Sequence, residues 1–350
     1  MIDYGCMGIP DANNNPTLTL MPRSTHTVPS AGSGFIFHSG KWNMDSNNKA
    51  ANVVYDTVYM IMTEVVTNLI VLITGKCEYN SLPDQPYCLV TSYTDDVGMI
   101  TSVDDSAVRL IARGMTSSHV GEMQYRGGYF DCLGLTNNNG YVMDGNTVHW
   151  SCPLAQAVSE QNFEGSQGVY CVLKPNNEAN YKQWRNIDSK GEQLWVVPPN
   201  TPDDATDKYL RAGIVGLSLA TTPAFAPSVV KFIPPAPWRS GTGNWSLRVS
   251  VYTAYEYRVV PSMSHNLSTS DPATIATMFA LMQHHTPYYP ASYNDFKKIM
   301  AKIREIYNQY KPLIDVAAGF IPYGNNINAG VDALLNATSG KKKKVLRRTM

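Results

Sequence analysis

The sequence predicts a mainly β protein: a single jelly-roll β-sandwich with a C-terminal helical annex and a disordered basic tail. Three observations carry this. Leu247, Val249, Val251, Thr253, Tyr255, Tyr257 and Val259 alternate with Ser246, Arg248, Ser250 and Arg258, the period of two of a half-buried antiparallel strand. Charged residues make up only 16% of the 350 residues, while 27 Asn and 21 Tyr supply polar surface; such a surface suits strands, loops and subunit contacts better than exposed helices. After Asp271-Pro272 the period changes to a helical one.

The elements follow in order. Residues 1–34 are rich in Pro, Gly, Asn and Thr and read as an extended N-terminal arm. A β domain over residues 35–262 comes next. Val53 to Ile73 is β-branched at 12 of 21 positions, which favours strands, and Asp56, Glu64 and Asn68 make it a poor membrane span. Val108 to Met115, Gly127 to Leu133, Gly168 to Leu173, Gln193 to Val197 and Ile214 to Ala220 are further strand candidates, and Asn137-Asn138-Asn139-Gly140 is a turn signal. Short strands between long, Pro-rich loops point to a sandwich or jelly roll. Residues 270–340 form the helical segment. Asp271-Pro272 is an N-cap followed by proline at the first helical position, with Ile275, Met278, Phe279 and Met282 on one face. Ser292 and Asp295 resemble a capping box before the apolar stripe Phe296, Ile299, Met300, Ile303, Ile306, Tyr307 and Tyr310, and Pro312 ends that helix.

Charge is unevenly distributed. Six of the 28 basic residues fall in the last ten positions, leaving 22 against 28 acidic groups in residues 1–340. The tail residues Lys341, Lys342, Lys343, Lys344, Arg347 and Arg348 repel one another until they meet a polyanion, so non-specific nucleic-acid binding is the functional reading; a nuclear localisation signal or a solubility tail is the other.

Enzyme signatures are weak. Gly216-Leu217-Ser218-Leu219-Ala220 lacks the closing glycine of a nucleophile elbow, so Ser218 reads as a strand residue. Gly34 to Gly40-Lys41 has the wrong glycine spacing for a phosphate loop, and Trp42 stands where Ser or Thr is needed. His284-His285 point about 100° apart on a helix and read as a solvated helix end. The doublets Asp95-Asp96, Asp104-Asp105 and Asp203-Asp204 could supply calcium ligands, although exposed turn carboxylates explain them as well. Cys6, Cys77, Cys88, Cys132, Cys152 and Cys171 contain no C-x-x-C pair and read as free thiols, compatible with a reducing compartment. No basic and apolar leader follows Met1. No cofactor is expected.

The order of features resembles the coat proteins of small non-enveloped icosahedral viruses, the nodavirus-like and tombusvirus-like single jelly-roll group. The residues that carry it are Val108-Arg109-Leu110-Ile111-Ala112-Arg113-Gly114 with Arg126-Gly127-Gly128, similar to that group's first shell strands. Ser246 to Pro261, with Tyr255-Glu256-Tyr257-Arg258, is similar to its last strand. Val316-Ala317-Ala318-Gly319-Phe320-Ile321-Pro322 resembles its interior apolar helices. An Arg-rich N-terminal arm, the group's usual RNA-binding element, is not seen; the cations sit at the other end.

The resemblance implies a virion structural protein that self-assembles from many copies into an icosahedral capsid. It implies packaging of the viral genome, a host receptor the sequence does not identify, structural calcium at subunit contacts and membrane contact by the C-terminal helices. It places the chain in the virion, and in the host cytoplasm or nucleus during assembly. It also implies a self-cleavage site at Asn336-Ala337, with Asn328-Ala329 as the other matching dipeptide, although an Asn-rich chain yields such pairs readily. The alternative from another class is a glycan-binding or hydrolytic β-sandwich, which would need a concave pocket of clustered carboxylates and aromatics.

Overall fold

In the computed structural model the described residues are 17–291, except 29–31, 46–48, 66, 96–106, 121–126, 135–140, 145–146, 154–157, 177, 187–192, 198–213, 220–222, 237, 240–245 and 259–287. Along the chain run β1 (Thr17–Leu20), β2 (Arg23–Val28), β3 (Ser33–His38), β4 (Lys41–Met44), β5 (Ala51–Met62), β6 (Leu69–Tyr79) and β7 (Leu82–Tyr93). Then come β8 (Ala107–Val120), β9 (Tyr129–Gly134), β10 (Tyr141–Asp144), β11 (Thr147–Pro153), β12 (Val158–Glu164), β13 (Val169–Val172) and β14 (Lys174–Pro175). A single helical turn, α1 (Glu178–Tyr181), precedes β15 (Arg185–Asn186), β16 (Gln193–Val197), β17 (Ile214–Leu219) and β18 (Phe225–Ala226). The last strands are β19 (Ser228–Ile233), β20 (Trp238–Arg239), β21 (Ser246–Arg258) and β22 (Tyr288–Pro290).

Two antiparallel sheets hold the core. The first has the order β1-β21-β8-β13-β22, with β2 also on β21 and β15 on β8; the second runs β12-β9-β19-β5-β6-β7-β3-β4, with β20 on β5. Strands β2, β5, β8, β9, β12, β13, β19 and β21 form the jelly roll. Within it, β2-β21-β8-β13 is one sheet and β5-β19-β9-β12 the other, so β2 pairs with β21 and β5 with β19 across most of the chain. Strands β10, β11, β16 and β17 are insertions that make their own four-stranded sheet. Phe130, Phe232, Met60, Val71, Met115, Val249, Val251 and Cys171 are buried in one continuous core, and the Phe130 and Phe232 rings lie 4.7 Å apart.

The local reasons differ from strand to strand. On β21, Leu247, Val249 and Val251 are buried and Arg248 is exposed, as the alternation predicts, but Ser250, Ala254 and Glu256 on the face of Arg248 are buried as well. On β6 both alternating sets, Leu69/Val71/Ile73 and Ile70/Leu72, are buried, so the segment reads as a continuous apolar run. The Gly34–Lys41 stretch is part of a hairpin: β3 turns at Ser39 and Gly40, with φ of 55° and 73°, into β4. No phosphate loop forms there.

One departure concerns the N-terminal arm of residues 1–34. Its described part is built into the sandwich, with β1 and β2 on β21 and β3 on β7. Arg23, Thr25 and Thr27 of β2 are exposed while Val28 is buried, so this edge strand is too polar to show a hydrophobic period. The Asn137–Gly140 turn and the helical segment of residues 270–340, apart from Tyr288–Ala291, lie outside the described residues, as do the tail of residues 341–350 and His284-His285. Among the described residues no helix is long and apolar enough to cross a membrane.

Candidate functional site: a buried ionic clamp in a two-sided sandwich

Arginine inside an apolar strand must find counter-charge or donate every N–H, because an unpaired buried cation is costly. Arg113, 1% exposed, does both. Its Nε donates to Thr253 Oγ1 at 3.1 Å, and Nη1 donates to the carbonyls of Thr63 and, at 2.8 Å, Val65. Nη2 donates to Asp95 Oδ2 and to the Tyr255 hydroxyl, both at 2.5 Å. All five guanidinium N–H groups are thereby used. Asp95 also accepts from Tyr255 at 2.6 Å and from Asn68 Nδ2 at 2.5 Å. Arg113, Thr253 and Tyr255 belong to the first sheet; Thr63, Val65 and Asn68 form the β5–β6 turn of the second, and Asp95 follows β7. The cluster is a polar rivet between the two layers.

A second clamp lies further along the same strand pair. Arg109 Nε meets Glu256 Oε2 at 2.7 Å with side chains 1% and 0% exposed, and the Arg109 guanidinium stacks 4.2 Å over Trp184. Glu64 Oε2 accepts the backbone N–H groups of Ala224 and Phe225 at 2.7 and 2.8 Å, tying the entry to β19 onto the β5–β6 turn. Thus Asp95 and Glu256 each face a guanidinium, and Glu64 is spent on backbone donors.

Asp95 corrects the expectation for the acidic doublets. It is neither an exposed turn carboxylate nor free to ligate calcium, since Arg113 neutralises it. Its doublet partner Asp96, with Asp104, Asp105, Asp203 and Asp204, lies outside the described residues, and among the described residues no group of three potential ligands converges on a metal. Ser218 lies within β17, paired to His149 on one side and Gln193 on the other, a regular ladder and not an elbow. Cys77, Cys88, Cys132 and Cys171 are free and buried; burial pushes the Cys77 thiol up to about 11 and the Cys171 thiol up to about 12. His26 stacks on Tyr93 with ring centroids 3.9 Å apart; desolvation holds its pKa below the usual value, with the Asp95 charge opposing.

The predicted tail residues Lys341, Lys342, Lys343, Lys344, Arg347 and Arg348, and the Asn336-Ala337 dipeptide, lie outside the described residues. The two strand motifs at Val108–Gly114 and Tyr255–Arg258 are brought together: β8 and β21 pair along their length, with Arg109 opposite Glu256. Sequence reasoning missed Asp95 and Thr253 as partners of Arg113, and Asn68 as a donor to Asp95. The available signal was the pair of arginines in the run V-R-L-I-A-R, which demands buried counter-charge.

No protein-family model and no curated protein matches this sequence. Among solved structures the chain is similar to a mutant VP2 protein of infectious bursal disease virus in derived T=1 particles, at 9% identity over 83% of this chain and 92% of that one, with a TM-score of 0.42. It is similar to the infectious bursal disease virus Gx strain structure at 10% identity, over 84% and 94%, with a TM-score of 0.38. A 60-mer BFDV capsid protein is similar at 9% identity, over 73% of this chain and all of that one, with a TM-score of 0.27.

Proposed function

We propose that this chain is a viral capsid subunit: a non-enzymatic structural protein of the virion that self-assembles in many copies into an icosahedral shell and packages the genome. The observation that carries the reading is how the jelly roll spends its interior charge. Jelly rolls serve capsids, lectins and cupins alike, so function rests on the site and not the fold. A glycan-binding or hydrolytic sandwich needs carboxylates turned towards a ligand. Here Asp95 is buried on Arg113, fastening one sheet to the other, and Glu256 is buried on Arg109, fastening β21 to its neighbour β8 within the first sheet. That arrangement makes a rigid wedge, and a surface poor in charge lowers the desolvation cost of burying large subunit contacts.

Packaging is assigned to Lys341, Lys342, Lys343, Lys344, Arg347 and Arg348, which bind phosphate without sequence preference since no aromatic residue interleaves them. Many tails lining one cavity would act together through effective concentration. Size-exclusion chromatography with light scattering across pH and salt tests the reading. It predicts a species of many copies, and a monodisperse monomer under every condition overturns it.

A further inference from the structure

The two sheets of the sandwich differ in charge in a way that strand order alone makes visible. Among the described residues, the strands of the first sheet hold six arginines (Arg23, Arg109, Arg113, Arg185, Arg248 and Arg258) and one carboxylate, Glu256, already paired with Arg109. The strands of the second hold six carboxylates (Asp56, Glu78, Asp84, Asp131, Glu160 and Glu164) against Lys41, Lys76, Lys231 and Arg239. In a chain whose residues 1–340 are net acidic, this is a segregation, not an average.

The outward face of the first sheet is also aromatic. Val169, Cys171, Val249, Val251 and Tyr288 point into the core, so Tyr170, Arg248, Ser250, Tyr252 and Tyr289 point out. Register sets them in rows: Thr25–Ser250–Thr116–Tyr170–Tyr289, beside Arg23–Tyr252–Gly114–Val172, with Arg248 between Thr27 and Ser118. Arg23 sits 4.9 Å over the Tyr252 ring. Gly114 gives Tyr170 room: a Cβ there would come within 3.0 Å of the Tyr170 hydroxyl and 3.2 Å of its ring, so the tyrosine leans across the glycine towards Tyr252. Arg23, Thr25, Thr27 and Arg248 are exposed, and Tyr170, Tyr252 and Tyr289 are half-buried.

We propose that this face binds single-stranded nucleic acid, with Arg23 and Arg248 on the phosphates and Tyr252 and Tyr170 as stacking surfaces for bases. A β-sheet face carrying aromatics and cations, on which Glu256 is buried and neutralised by Arg109, is complementary to a flexible polyanion whose every base has a π-face. It is poorly suited to duplex, whose bases are already stacked. The inference deepens the capsid reading and rests on it for one point, that this side of the subunit is the one turned to the packaged strand. It adds a folded contact to the tail.

The test uses the full-length protein and a fluorescein-labelled uridine 20-mer, with anisotropy titrated against salt and particle formation followed by light scattering. Each phosphate contact contributes about 0.7 to the log–log salt slope for a single strand, so Arg23→Gln with Arg248→Gln should flatten it by about 1.4. Arg23→Lys with Arg248→Lys should restore the slope. Tyr252→Leu should weaken binding by at least about fivefold with the slope unchanged. Ultraviolet cross-linking to the same oligonucleotide should give nucleotide adducts on the peptides holding Tyr170 or Tyr252, a readout that needs no substitution. An unchanged slope in the double glutamine variant, or adducts confined to residues 341–350, overturns the inference and leaves shell formation untouched. Variants that bind like the parent but no longer form particles also overturn it, since the face would then be a subunit contact. If the parent binds as described but never forms particles, the capsid reading fails and the binding face stands.

Discussion

Replacing Arg113 with Met tests the clamp that fastens the two sheets. The substitution keeps an unbranched chain of similar reach in the core but leaves Asp95, whose side chain is 1% exposed, without its guanidinium. It also leaves the carbonyls of Thr63 and Val65 without their side-chain donor. Removing one partner of a buried pair costs about 3–5 kcal/mol, because the remaining charge stays buried and uncompensated. Asp95→Leu should cost a comparable amount by stranding the guanidinium. The double change Arg113→Met with Asp95→Leu should recover part of the loss, a coupling that a double-mutant cycle isolates. Lys76→Met, at an ion pair with side chains 60% and 76% exposed, is the control and should cost under about 1 kcal/mol. Guanidinium unfolding followed by tryptophan fluorescence reads all five proteins. An Arg113→Met loss no larger than that of Lys76→Met would refute the clamp and the rigid wedge argued from it.

Stability should fall on both sides of neutrality. Burial raises the thiols of Cys77, Cys88, Cys132 and Cys171 in the folded state, so their contribution is complete below about pH 9 and falls as pH climbs, through about 11 for Cys77 and about 12 for Cys171 and higher still for Cys88 and Cys132. His26 is lowered, so the unfolded chain takes up its proton first and stability drops as pH falls below 6.5; His26→Phe should flatten that acid limb in melting scans. Deleting residues 341–350 should leave a folded protein whose particles hold much less nucleic acid by absorbance ratio, and the parent tail alone should give a salt slope near about −4 to −5. Intact mass of aged particles should show whether Asn336-Ala337 is cut: cleavage releases a fragment of residues 337–350, and an unchanged full-length mass rules it out.

The sequence made the fold class legible where an apolar residue alternates with a polar one, as at the start of β21, where Leu247, Val249 and Val251 are buried and Arg248 is exposed. It was less legible on β6, where Ile70 and Leu72 are buried along with Leu69, Val71 and Ile73. It misled at β1 and β2, whose polar residues belong to edge strands held by pairing to β21 and not by a continuous apolar face. The clamp was half-visible. Arg109 and Arg113 stand out in an apolar run, but Asp95 lies 18 residues before Arg113 and Tyr255 lies 142 after it, and no local pattern joins them. The segregation of charge between the sheets was invisible for the same reason, because it depends on which distant strands become neighbours.

Electron microscopy of the purified full-length protein tests the central claim most directly. The account predicts closed, uniform, roughly spherical particles built of many copies, and fields of dispersed single subunits, with no closed particle at any pH or salt, would contradict it.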